Sequence, residues 1–197
     1  MGETVTPYPG DDAPLSESKH GDRQEAASRS IPQPVGDTLV AKTVTIARPR
    51  QELYDYWRAL ERLPTFMDNV VTVEPLGGAR YRWVVKAPAG KTVEWIAAIT
   101  EDIPGEAIGW ASEEGADVPN SGRVEFRDAP GGRGTWITAT ILYDPPGGAV
   151  GRIIAKLFQR EPAIQARRDL RRFKQLMETG EIATGARNLR EYAEETD

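Results

Sequence analysis

Chemistry needs particular residue types, and here the inventory is short. The 197-residue chain has no cysteine and a single histidine. Without thiols there is no disulfide, no thiolate nucleophile and no cysteine ligand set for zinc or an iron–sulfur cluster. The lone His20 stands in a stretch rich in proline and charge, so a histidine triad, an imidazole base and a histidine metal cluster are not expected. Neither a metal nor a cofactor is expected. Carboxylates and tyrosines remain for acid–base work. Glu94, Glu125 and Asp128 fall on predicted strands, and alternation turns Glu94 and Glu125 to solvent. Tyr81 and Tyr143 have the inward parity. They can offer a hydroxyl to a bound molecule, or pack their rings with the hydroxyl at a rim. No two acids converge, so no catalytic residue is assigned. The run Gly147–Gly151 lacks the Lys-Ser/Thr of a phosphate loop and follows Pro145-Pro146, so it is read as a strand-to-helix turn.

The elements that would position such groups alternate along the middle of the chain. Residues 1–38 carry a net charge of −4, residues 39–180 of +2 and residues 181–197 of −3. The near-neutral middle has no field that suggests nucleic acid as a partner. Five prolines and few large apolar groups make 1–38 a disordered acidic tail, and 186–197 is a second acidic tail. Between them, 39–185 is one domain. A β-branched strand over 39–46 leads into a helix over 49–60, with Pro49 at its start, and then a short helical piece carrying Leu60 and Leu63. Alternating runs follow near 69–75, 80–87, 91–103, 106–112, 121–128 and 134–143, separated by Gly/Pro turns. Such close spacing requires an antiparallel meander. The last element is a long amphipathic helix broken at Pro162, with Ala163, Ala166, Leu170, Phe173 and Met177 on one face and Arg167, Arg168, Arg171, Arg172 and Lys174 opposite. The fold class is α+β: a curved sheet of about seven strands gripping one C-terminal helix.

One parity of the strands is strongly apolar: Val44 and Ile46, Trp83 and Val85, Trp95, Ala97 and Ile99, Ile108 and Trp110, Val124 and Phe126, then Ile137, Ala139, Ile141 and Tyr143. The other parity carries many of the polar residues, among them Thr43, Thr45, Glu94, Arg123, Glu125, Arg127, Thr138 and Thr140, though Ile96, Trp136 and Leu142 also fall on it. Large rings beside small residues such as Ala97 and Ala139 fit either a pocket or a solid core.

Several stretches carry a resemblance: TVTIARPRQELYDYWRALERLPTFM (43–67), WVVKAPAGKTVEW (83–95), PGEAIGWAS, NSGRVEF, LYDPPGGAVGRIIAKL and RRFKQLMETGEIATG. In their order and spacing the chain resembles the START-like, Bet v 1-type (SRPBCC) superfamily. Within it the chain is similar to the bacterial polyketide cyclase/dehydrase-like branch, near the coenzyme Q-binding START proteins. The resemblance implies a helix-grip fold with an apolar cavity for a lipid, isoprenoid, quinone or polyketide-like molecule. On that basis the expected cavity lining is Trp57, Phe66, Trp83, Val85, Trp95, Ala97, Ile99 and Trp110, with Val124, Phe126, Ile137, Ala139, Ile141, Tyr143, Leu170 and Phe173.

The expected function is therefore binding or transport of a hydrophobic small molecule. The alternatives are an aromatase/cyclase-type enzyme and a non-catalytic protein-interaction domain working through its arginine face. The segment 151–160 puts Ile153, Ile154, Leu157 and Phe158 among Arg152, Lys156 and Arg160. It is either a membrane-contacting gate or the start of a core-facing helix. No run approaches ~18 apolar residues and the N-terminus is acidic, so a cytoplasmic protein is expected, with 151–160 as its candidate contact with the inner face of the membrane.

Overall fold

The computed structural model of the protein describes residues 30–36, 38–87, 90–144 and 162–182. The 151–160 segment, most of both tails and the Gly147–Gly151 turn lie outside these residues. β1 (Thr38–Ile46) runs into α1 (Arg50–Arg58) and a 3-10 turn (Leu60–Thr65). Six strands follow: β2 (Val70–Gly77), β3 (Arg80–Lys86), β4 (Thr92–Ile103), β5 (Ala107–Ser112), β6 (Asn120–Asp128) and β7 (Thr135–Tyr143). The last described element is α2 (Pro162–Thr179). All neighbours are antiparallel in the order β1-β7-β6-β5-β4-β3-β2, so α1 and the 3-10 turn carry the chain from one sheet edge to the other. This is the helix-grip architecture expected from the sequence.

Local sequence explains the ends. Pro49 caps α1 in an extended conformation (φ −61°, ψ 142°), one residue outside the helix, and the spacing of Leu53, Tyr54 and Trp57 buries one side of it. β4 carries a bulge between Ile99 and Glu101. The bulge shifts parity by one, so Glu101 joins Arg123 and Glu125 on the outer face while Asp102 comes round to meet α1.

Two clamps hold α2 against the sheet. At its C-terminal end Arg48 donates to the carbonyls of Met177 (2.7 Å) and Glu178 (3.2 Å), supplying a cation where the helix dipole is negative. Further along, Arg172 donates to the Phe66 carbonyl (2.9 Å) and pairs with Asp68 (2.8 Å). Arg172 is therefore a strap, not part of the solvated face that the sequence assigned to it.

The outer face is covered where the N-terminal segment returns. Val35 exchanges hydrogen bonds with the Ser121 hydroxyl (2.8 and 3.1 Å), and Ile31 is 3% exposed. Leu142, which faces Ser121 in register, is 3% exposed although its parity points outward. Residues 30–36, part of the expected disordered tail, thus lie on the sheet and account for one break in the alternation.

Candidate functional site

The space between the sheet and α2 divides in two. One part is solid. Phe66 and Phe173 lie 4.6 Å apart, Trp57 stands 5.0 Å from Phe173 and 5.2 Å from Phe66, and Phe126 meets Trp57 edge-on at 6.4 Å. Rings so close leave each other no free face. Phe66, Phe126, Ile137 and Phe173, all expected to line a cavity, are instead core at 1% exposure or less.

The other part is a cavity of about 220 Å3. Twelve of the expected residues form its wall: Trp57, Trp83, Val85, Trp95, Ala97 and Ile99, with Trp110, Val124, Ala139, Ile141, Tyr143 and Leu170. Further apolar surface comes from Val40, Leu60, Leu63, Met67, Val70, Ile108, Val118 and Ala166. Two strand pairings set three of the tryptophans. Trp83 faces Trp95 directly across β3 and β4, their rings parallel within 5° at 6.3 Å. Trp110 faces Gly122 across β5 and β6, and its ring occupies the space where a side chain would be: a Cβ on Gly122 would stand 2.2 Å from the indole Cζ2. The glycine thus lets the indole lie along the sheet and keeps the cavity open.

Polar groups enter this wall at four places. Tyr81 accepts a hydrogen bond from Arg58 (3.1 Å), and Arg58 pairs with Asp102 (2.7 Å), to which Tyr54 also donates. Burial and the Asp102 carboxylate push the Tyr54 hydroxyl up to about 12. Arg58 is held well above its ordinary value by the Asp102 hydrogen bond. At a second place, Asn120 accepts from the Trp110 indole (3.2 Å) and donates to the Val118 carbonyl (2.7 Å). Tyr143 lies beside it in register, its hydroxyl raised by burial against an opposing hydrogen bond with Thr38. Third, Asn69 reaches the wall from the loop before β2.

The fourth place was missed from the sequence. Gln165 and Asp169, one helical turn apart on α2, share the inward side with Ala166 and Leu170, and the Gln165 amide donates to Asp169 (2.8 Å). Burial raises the Asp169 carboxyl from 3.8 to about 7, helped by Asp68 and opposed by the Gln165 hydrogen bond and by Arg172 and Arg168. The i, i+4 spacing carried the signal, but the arginines around Asp169 made its turn of helix look solvated.

Glu125 is on the outer face as expected, beside Arg123 and Arg127, which hold its carboxyl below the usual range against the effect of burial. Among the described residues, no three histidine, cysteine or acidic side chains gather as a metal site, and no helix is long and apolar enough to cross a membrane.

Comparison with known proteins places this geometry. Residues 46–171 match the family model described as polyketide cyclase/dehydrase and lipid transport. A crystal structure from Deinococcus radiodurans is 42% identical, with a TM-score of 0.61 over 74% of this chain and 100% of its own. The Zhui aromatase/cyclase from Streptomyces sp. R1128 shares the fold (16% identity, TM-score 0.55, 74% and 99% coverage). An uncharacterised 17.2 kDa protein of Streptomyces lincolnensis is 30% identical over 87 residues, 44% of this chain. The match spans 57% of that relative's length. The family match and the apolar wall together make this a hydrophobic ligand-binding fold.

Proposed function

Because the chain belongs to the polyketide cyclase/dehydrase and lipid transport family, we propose that it binds and carries a hydrophobic small molecule in the cavity between its sheet and α2. The observation that carries this reading is the cavity itself, about 220 Å3 with four tryptophans in a mostly apolar wall. Apolar area removed from water is worth roughly 25 cal/mol per Å2, so a ligand enclosed on most sides needs few directed contacts. Trp57, Trp83, Trp95 and Trp110 would supply most of the contact area, Ala97 and Ala139 the room, and Ile99, Ile141 and Leu170 the rest. An isoprenoid, a quinone or a polyketide-like ring system fits the apolar part of this wall. The segment with Ile153, Ile154, Leu157 and Phe158 is the proposed route of loading from a membrane surface.

A second reading, an enzyme of the aromatase/cyclase type, has one specific observation in its favour: the Gln165–Asp169 pair in the cavity wall. A carboxyl titrating near neutral pH suits proton transfer. Native mass spectrometry of the purified protein, with organic extraction of what co-purifies, tests the carrier. A near-stoichiometric lipid, quinone or polyketide supports it. An empty protein that takes up no added hydrophobic compound rejects it. Conversion of a bound compound that stops in Asp169→Asn moves the assignment to the enzyme.

A further inference from the structure

One side chain in the cavity wall is chemically out of keeping with the rest. Asp169 carries the one carboxyl among the described residues that line the cavity, in a wall that is mostly apolar. Oδ1 accepts from Gln165 at 2.8 Å, and among the described residues no hydrogen-bond partner meets Oδ2. The charges around it are committed elsewhere or point away. Arg172 is engaged by Asp68 and the Phe66 carbonyl, and Arg168 is exposed on α2. Asp68 itself adds repulsion. The Arg172–Asp68 strap also brings the loop carrying Asn69 to this end of the cavity. A second group in the same wall is short of a partner: the Trp95 indole N–H is buried without an acceptor. Leaving such a buried donor unpaired costs about 1–3 kcal/mol, which a ligand carrying an acceptor would recover.

We propose that the ligand is an amphipathic hydrophobe bearing a hydroxyl, and that this hydroxyl docks on the free oxygen of Asp169 beside Gln165. A hydroxyl suits both states of the group. It donates to the carboxylate and accepts from the neutral acid, so binding survives titration of the aspartate. A ketone serves only the acid, and an ammonium only the carboxylate. Gln165 is a positioning residue: its amide engages Oδ1 and leaves Oδ2 for the ligand. The inference rests on the ligand-binding reading above and narrows it to a class of molecule.

Isothermal titration calorimetry with two probes of one shape, 2-naphthol and 2-methoxynaphthalene, separates the claims. The wild-type protein is expected to bind 2-naphthol about tenfold more tightly, the worth of one hydrogen bond to a charged group. In Asp169→Leu the two affinities should converge, through loss of 2-naphthol binding with 2-methoxynaphthalene undiminished. Should that variant not fold, the isosteric Asp169→Asn is expected to reduce the preference severalfold. Equal affinities in the wild type, a preference that survives in Asp169→Leu, or one undiminished in Asp169→Asn, overturn the docking site. Failure of both probes to bind removes the ligand-binding reading, and the docking site with it, which is a different result from binding without preference.

Discussion

Asp169 decides most at the residue scale. Its carboxyl titrates near 3.9 in an unfolded chain and near 7 in the folded one, so between those values the unfolded chain is ionised while the folded one holds its proton. The aspartate's contribution to stability is full below about pH 4 and is lost as pH rises through about 7. Solvent reaching the half-buried group keeps that loss to about 1–2 kcal/mol. Asp169→Asn is expected to unfold at the same temperature as the wild type at about pH 3.5 and several degrees higher at pH 8, the difference growing between those values, as read by calorimetry. Asp68, Arg172 and Arg168 are the charges that set the midpoint. Gly122→Ala tests the opposite kind of contact, a missing side chain. A methyl group there must displace the Trp110 ring, so a loss of about 1–3 kcal/mol in urea denaturation and weaker ligand binding are expected together. Residue identity alone could not reveal either case. Asp169 stands among arginines in the sequence, and the need for Gly122 comes from a ring twelve residues earlier.

At the scale of elements, strand and helix positions were legible because the sequence alternates with period two and then changes to a helical period. All seven strands and the end of the C-terminal helix fall within a residue or two of expectation, and the start expected for that helix lies outside the described residues. The β4 bulge was not legible, since nothing in Thr100–Asp102 distinguishes a slipped residue from a regular one, and with it went the role of Asp102. The division between core and cavity was also hidden. Phe66 after the 3-10 turn and Phe173 on α2 are as apolar and as large as the lining residues, and only the distance between rings separates a plug from a wall. Arg172 gives the element-scale prediction. Arg172→Ala leaves the Phe66 carbonyl without its donor and frees Asp68. The expected cost is about 1–2 kcal/mol, with faster amide hydrogen exchange in α2 and in the loop before β2 and none of the increase in β6 or β7. Uniformly faster exchange would mean that the strap is not local.

The whole molecule behaves as a sheet and a helix held apart by an aromatic plug at one end. A ligand that fills the remaining space binds only the folded form. At one hundred times its dissociation constant it should stabilise the protein by about 2.7 kcal/mol, which raises the melting temperature by roughly 5 °C or more. The size of that shift should grow with ligand concentration as mass action requires. An unchanged melting temperature, with extraction showing no bound molecule, would mean that the cavity is a packing defect.

The parallel Trp83 and Trp95 rings have an optical consequence. Two indoles held 6.3 Å apart and within 5° of parallel are coupled chromophores, while Trp136 sits on the far face of the sheet as an internal standard. A molecule entering beside the pair changes their coupling and quenches their emission but leaves Trp136 unaffected. The protein thus carries its own occupancy gauge, readable in near-ultraviolet circular dichroism without any label.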